Sequence, residues 1–141
     1  MKIISHRGNL TGPNQEDENK MGYIDNSLSL GYEVEIDLWY VNGDFYLGHD
    51  SPTYKTNLEF ISKNGLWIHT KNLDALYQMT NTNLHYFWHQ NDDFTLTSKN
   101  IIWTFPNKEI TKNSVIVTLE NNINKFLNLD IYGVCTDYVT N

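Results

Sequence analysis

The segment YEVEIDLWYVNGD at residues 32–44 decides the predicted fold, because it joins a buried strand to a tight turn. Apolar and acidic residues alternate along it, and this period of two predicts a β-strand over residues 32–41. Side chains two positions apart lie on the same face of a strand, so Glu35 and Asp37 should point the same way. Asn42-Gly43 is a hairpin signal that should turn the chain back on itself.

Similar β-rich runs recur along the chain, with helical patterns between them. The further strands that we expect to run parallel to this one span residues 2–7, 66–70, 86–89, 101–105, 114–119 and 132–137. Helical patterns span residues 19–30, 58–62, 73–79 and 122–129, and Gly31 is placed to end the first helix. This alternation favours βαβ units and a parallel sheet.

Polar and ionisable residues fall repeatedly where the predicted strands end. They are His6, Asp37, His69, His89, Glu120 and Asp137. Parallel β/α barrels build their active sites at this end of the strands, but a (β/α)₈ barrel takes ~250 residues. We therefore predict one α/β domain over residues 1–141. Its expected architecture is a reduced TIM-type (β/α) barrel with about seven parallel strands, a hairpin after strand 2 and several short or missing helices.

Composition excludes several classes of partner. The net charge is −7, and the chain has only 10 lysines and arginines. Non-specific binding to nucleic acid and docking on an anionic membrane both require clustered basic residues, so we expect neither. The chain has one cysteine and no apolar run of the ~18 residues that a membrane span needs. Its first residues do not resemble a signal peptide, so we expect a cytoplasmic protein.

Five short motifs follow one another in the first half of the chain. They are His6-Arg7-Gly8, Glu18-Asn19, Gly31, Glu35-Ile36-Asp37 and His49-Asp50. In this order they resemble the signature of the glycerophosphodiester phosphodiesterase family, in the PLC-like phosphodiesterase superfamily. Lys71 matches the lysine of the next family segment, and Thr136-Asp137-Tyr138 matches the family's closing motif. The chain would be a shortened member.

The resemblance implies a metal-dependent phosphoric diester hydrolase. The two histidines, His6 and His49, would act as general acid and base, since imidazole titrates near neutral pH. Glu35 and Asp37 would hold one divalent cation that neutralises the phosphate oxygens. Which histidine accepts the proton and which donates it is left open at this point.

One position departs from the family pattern. His69 stands where the family has its third metal-binding glutamate. The resemblance implies Mg²⁺ or Ca²⁺, whereas a nitrogen ligand in place of an oxygen favours Mn²⁺ or Zn²⁺. Glu120 is an alternative third ligand, and loss of the metal is a third reading. Glu18 would lie close to the ion or hold Arg7.

The expected partner is a small glycerol- or sugar-phosphodiester. Arg7 and Lys71 would bind its phosphate, because guanidinium and ammonium groups match phosphate oxygens, and His89 would contact the substrate. A lyase that stops at a cyclic phosphate is an alternative outcome. So is a non-catalytic module that binds a phosphosugar or headgroup on the same scaffold. An exposed sheet edge would be a natural contact in a homo-oligomer.

Overall fold

The computed structural model describes residues 1–140. Within them the strands are β1 (Lys2–His6), β2 (Glu33–Val41), β3 (Asp44–Leu47), β4 (Tyr54–Thr56), β5 (Leu66–Thr70), β6 (Tyr86–Phe87), β7 (Phe94–Leu96), β8 (Ile102–Thr104), β9 (Ser114–Thr118) and β10 (Gly133–Thr136). The helices are α1 (Met21–Ser29), α2 (Leu58–Ile61) and α3 (Leu73–Met79), with a 3₁₀ turn at Ile123–Lys125.

All ten strands belong to one sheet. Seven of them pair in parallel in the order β6-β5-β2-β1-β10-β9-β8. The other three, β3, β4 and β7, pair antiparallel with their neighbours. The long strand β2 organises this arrangement, because it pairs with β1 near its start, with β5 along its middle and with β3 near its end.

The prediction of a reduced TIM-type (β/α) barrel is wrong. The sheet is mixed and curls into a half-barrel, and the three α-helices of residues 1–140 are short, so that the chain is 16% helical. Antiparallel strands stand where a barrel would have helices: β3 and β4 follow β2, and β7 precedes β8. Within residues 1–140, β6 pairs only with β5, so no ladder joins it to β8. The segments between the strands are too short overall for a helix to follow every strand.

The two faces of the sheet have different coverings. On the outer face, α1 and α3 pack through Ile24 and Ala75 against a buried cluster that includes Val34 and Ile36 of β2. The inner face is the one opposite these helices. Its buried cluster is rich in aromatic residues and comprises Ile4, Trp67, Phe87, Ile101, Trp103, Val115 and Cys135. The ionisable residues of the site lie on this inner face, toward the ends of the strands.

Helix boundaries differ from the predicted ones for local reasons. The first helix begins at Met21 rather than at residue 19, because Asn19 has a left-handed backbone with φ of 65°. It ends before Gly31, whose φ of 93° suits a residue without a side chain. The predicted helix over residues 122–129 is reduced to the 3₁₀ turn. Among residues 1–140, no helix has the length and hydrophobicity needed to cross a bilayer.

Asn72 caps α3 and also ties that helix to β2. Its Oδ1 accepts hydrogen bonds from the N–H groups of Ala75 at 3.0 Å and Tyr40 at 3.2 Å, and its Nδ2 donates to the Tyr40 carbonyl at 3.0 Å. Asn57 caps α2 through one hydrogen bond, from the Phe60 N–H at 2.9 Å. Both asparagines therefore cap a helix, but Asn72 makes three hydrogen bonds and Asn57 makes one.

We expect N72A to lower the free energy of unfolding by about 2–3 kcal/mol and N57A by only about 1 kcal/mol. A lost cap costs about 1 kcal/mol, and leaving the polar groups of Tyr40 unpaired adds to that cost. Urea denaturation at pH 7 measures both values. Equal losses in the two variants would contradict the additional role of Asn72.

Candidate functional site

Two carboxylates form the centre of the candidate site. Glu35 and Asp37 lie on the inner face of β2, and they are only 2% and 1% exposed. Strand register brings a histidine beside each of them. His6 of β1 is the pairing partner of Glu35, and His69 of β5 is the pairing partner of Asp37. The arrangement is thus built by three adjacent parallel strands.

His69 faces both carboxylates through one ring nitrogen. Its Nδ1 lies 3.3 Å from Asp37 Oδ1 and 3.6 Å from Glu35 Oε1. Its Nε2 lies 2.8 Å from the carbonyl oxygen of His89, which can only accept a hydrogen bond, so Nε2 carries a proton. Nδ1 is therefore the atom that holds either a second proton or a metal ion. Metal-binding histidines commonly fix their other nitrogen in this way.

The three side chains can hold a cation together. One ligand atom from each of Glu35, Asp37 and His69 lies within 4.8 Å of the others. Glu35 Oε2 and Asp37 Oδ1 are buried, and neither accepts a well-aligned hydrogen bond from any of the described residues 1–140, although His69 Nδ1 lies 3.3 Å from Asp37 Oδ1. Unpaired carboxylate oxygens are costly to bury, and a divalent cation would satisfy both. The cluster fits a metal ion by its chemistry as well as by its spacing.

Neighbouring positive groups keep Asp37 ionised. Burial alone would raise the pKa of this carboxyl group, but the nearby imidazoles of His49 and His69 and the guanidinium of Arg7 hold the pKa well below its usual range. Arg7 Nε lies 3.1 Å from Asp37 Oδ2, and Lys71 Nζ lies 4.0 Å from Asp37 Oδ1. Both predicted phosphate-binding cations are therefore at the carboxylates.

Arg7 is placed by an unusual backbone turn directly after β1. Its φ is 58°, and Gly8 follows with a φ of 92°. A Cβ on Gly8 would lie 2.8 Å from the ring of Tyr23, so the position excludes a side chain. The turn aims the guanidinium at Asp37 and at Glu18, whose Oε2 accepts from Arg7 Nη1 at 3.2 Å. Strained backbone of this kind is concentrated at functional sites.

His6 is held in one tautomer by Asp137. Its Nδ1 donates to Asp137 Oδ1 at 2.8 Å, and its Nε2 faces Glu35 Oε2 at 3.7 Å. Burial lowers the pKa of His6, but the hydrogen bond to Asp137 and the charge of Glu35 outweigh it and raise the pKa overall. His6 Nε2 is consequently a strong proton acceptor that points toward the carboxylates.

His49 is more exposed and has the opposite tautomer. It follows β3 through Gly48, and its side chain is 43% exposed. Its Nδ1 accepts a hydrogen bond from Arg7 Nη2 at 2.7 Å, because a guanidinium only donates. The ring proton is therefore on Nε2, which lies 3.5 Å from Asp50 Oδ1. The two histidines thus carry their ring protons on different nitrogens, Nδ1 in His6 and Nε2 in His49, and the His49 atom nearer the carboxylates is Nδ1, 3.8 Å from Asp37 Oδ2.

Two of the predicted metal ligands are not in the cluster. Glu18 holds Arg7 instead, which was the other role predicted for it, and it also accepts from Asn9 at 2.9 Å. Glu120 is exposed and accepts from Asn122 at 3.0 Å. Side chains alternate along β9, so that Leu119 lines the inner cleft whereas Glu120 does not; Glu120 lines a neighbouring cavity, which Leu119 also borders. The structure therefore does not bring Glu120 to the carboxylates.

Three further residues of the site were not named as site residues from the sequence. Asp137 orients His6, and Asn9 donates to Asp137 Oδ1 at 2.8 Å. Asn19 forms two hydrogen bonds with Asp37: it donates to Oδ2 at 2.9 Å and accepts from the backbone N–H at 3.0 Å. Asn19 and Asp137 belong to the motifs quoted above, so their motifs were the available signal. Asn9 had none.

An open cleft of about 210 Å³ lies beside the cluster. Its polar wall includes His6, Glu35, His69 and His89, so the predicted substrate-contacting histidine does reach it. The His89 side chain donates through Nε2 to the Asp92 carbonyl at 2.7 Å, which leaves its Nδ1 for other partners.

Comparison of the chain with models of protein families, with curated proteins and with solved structures finds no match. The geometry of the site and the motifs that build it are therefore the basis for any function of this chain.

The metal-free protein should lose stability as the pH rises from 6.5 to 9. Burial lowers the pKa of His69, but Asp37 and Glu35 raise it to about 9 in the folded state, against 6.5 in the unfolded chain. The charge of His69 therefore stabilises the folded state by up to ~3 kcal/mol. This stabilisation is fully present below pH 6.5 and is lost as the pH rises through 9. Urea denaturation in EDTA at several pH values measures this change in the free energy of unfolding. In H69Q, most of the pH dependence should be absent.

His85 provides the matched control for that experiment. Burial and Lys99 lower its pKa to about 4, so it is neutral in the folded protein throughout this pH range. H85Q should therefore keep the pH dependence of the wild type between pH 6.5 and 9. A flat wild-type profile, or equal effects of H69Q and H85Q, would show that His69 is not charged beside the carboxylates.

Proposed function

We propose that this chain is a metal-dependent phosphodiesterase that acts on a small phosphodiester. The observation that carries the proposal is the pair of buried carboxylates with two unpaired oxygens, flanked by His6 and His49 in opposite tautomers. The motif order that resembles the glycerophosphodiester phosphodiesterase family supports the same chemistry. Neither the metal nor the histidines alone would suggest cleavage of a phosphate ester.

The metal ligands in this proposal are Glu35, Asp37 and His69 Nδ1. A divalent cation held there would neutralise charge on the phosphate oxygens. Two oxygen donors and one nitrogen donor favour Mn²⁺ or Zn²⁺ over Mg²⁺ or Ca²⁺. Arg7 and Lys71 border the same carboxylates, so they would bind the remaining phosphate oxygens.

The tautomers support one assignment of the proton transfers. His6 Nε2 would take the proton from the attacking hydroxyl group, and Asp137 would stabilise the imidazolium that forms. The attacking oxygen forms a bond to phosphorus while the bond to the departing alcohol breaks. His49 would donate the Nε2 proton to that alcohol as an imidazolium and return to neutral imidazole, which requires that Arg7 Nη2 leave His49 Nδ1 when it binds the phosphate. If the attacking hydroxyl belongs to the substrate, the first product is a cyclic phosphate, and a lyase would stop there.

One observation favours a non-catalytic alternative, a module that binds a phosphosugar or headgroup. Arg7, Lys71 and a protonated His69 together could neutralise the carboxylates without any metal. In that case the site would bind a phosphate group and carry out no reaction. Metal binding and turnover therefore decide between the two proposals.

Two substrates with different leaving groups test the histidine roles. The 4-nitrophenolate of 2-hydroxypropyl 4-nitrophenyl phosphate leaves without a proton, whereas the methoxide of glycerol methyl phosphate needs one. With Mn²⁺ present, H6A should lower kcat at least ~100-fold for both substrates. H49A should do so only for the methyl ester. Phosphorus NMR follows both reactions and shows any cyclic product.

H85Q is the control for that experiment, because His85 hydrogen-bonds to Thr97 outside the cleft and should not affect kcat. Addition of EDTA should abolish turnover. No turnover with any metal would leave the binding module as the better account. Equal effects of H49A on both substrates would contradict its role as the general acid.

A carboxylate in place of His69 should change the metal preference. We expect H69E to bind Mg²⁺ at least ~10-fold more tightly than the wild type and to bind Zn²⁺ more weakly, because the exchange replaces nitrogen with charged oxygen. Calorimetric titration measures both affinities. E120Q is the matched control and should bind like the wild type, since Glu120 lies in another cavity. Loss of binding in E120Q would contradict the assigned ligand set.

A further inference from the structure

One wall of the cleft beside Glu35, Asp37 and His69 is apolar. Its members follow or belong to strands β8 and β9, and they are Trp103, Phe105, Pro106, Val117 and Leu119. Phe105 and Leu119 are 46% and 55% exposed, so their side chains are available to a ligand. His89 stacks on Phe105 with ring centroids 6.1 Å apart, which joins the apolar wall to the polar one.

A second cleft, of about 280 Å³, lies on the other side of Arg7 and His49. Both residues line the two clefts, so they stand between them. The second cleft is lined mostly by polar side chains. These include Gln15, Asp50, Ser51 and Thr53. A phosphate bound at the cluster would therefore have an apolar space on one side and a hydrogen-bonding space on the other.

We infer that the substrate is an asymmetric phosphodiester, in which one alcohol is alkyl or aryl and the other carries several hydroxyl groups. The inference rests on the proposed function and names the substrate class of the same site. The apolar alcohol packs against Phe105 and Leu119, because exposed apolar side chains gain by leaving water. The hydroxylated alcohol lies among the polar side chains beyond His49, where its hydroxyl groups find partners.

Two diesters with different alkyl groups test the apolar arm of the inference, which is the packing of the apolar alcohol against Phe105 and Leu119. Phosphorus NMR compares glycerol hexyl phosphate with glycerol methyl phosphate in the Mn²⁺-loaded protein. We expect kcat/KM to be at least ~10-fold higher for the hexyl ester, the ratio that burial of about two methylene groups supports. F105S and L119S should each bring this ratio toward one. F94S is the matched control, because Phe94 is 45% exposed but lines a separate groove, and it should keep the wild-type ratio.

Binding of the two monoesters separates this inference from the proposed function. Calorimetry compares hexyl phosphate with methyl phosphate in the same proteins. Tighter binding of hexyl phosphate that F105S abolishes would support the apolar arm even if no diester is cleaved, in which case only the catalytic proposal fails. Cleavage of both diesters at equal rates would overturn the apolar arm and leave the catalytic proposal standing. No cleavage and no chain-length preference would overturn both.

Discussion

The structure depends on the neutralisation of two carboxylates that β2 buries side by side. Glu35 and Asp37 are almost completely inaccessible, and their like charges repel each other. Burial of an uncompensated charge costs more than a typical interaction contributes, so the fold must bring positive or polar groups to them. It does so from both neighbouring strands, with His6 on one side and His69 on the other. Arg7 completes the arrangement from the turn after β1.

The same requirement explains the backbone around the site. Arg7 and Asn19 both have left-handed conformations, which residues with a side chain adopt at a cost. Each then contacts Asp37, one through its guanidinium group and the other through its amide. The Asn19 N–H also donates to the Arg7 carbonyl at 3.1 Å, so the two turns support each other. Strain in the backbone is thus offset by the charges that it positions.

The local sequence pattern was sufficient to predict the part of the site that lies on one strand or on a strand next to it. The period of two at residues 34–38 predicted a shared face for Glu35 and Asp37, and the structure places them so. The bond between His6 and Asp137 depends on pairing between β1 and β10, 131 positions apart, which no local pattern reveals. The half-barrel was missed for the same reason, because curling and closure depend on long-range pairing. The orientation of Glu120 follows from the alternation of side chains along β9. It could be predicted only if the last residue of that strand that faces inward were already known.

In the proposed function, the buried carboxylates and His69 together form a site at which a divalent cation replaces the proton on His69 Nδ1, rather than a cluster that this proton, Arg7 and Lys71 neutralise permanently. Anomalous diffraction from a crystal soaked in Mn²⁺ tests this most directly. Our account predicts one peak about 2.0–2.3 Å from Glu35, Asp37 and His69 Nδ1, with the His89 carbonyl still accepting from His69 Nε2. A crystal without a peak at these atoms, in which Arg7 and Lys71 keep their contacts with Asp37, would contradict it.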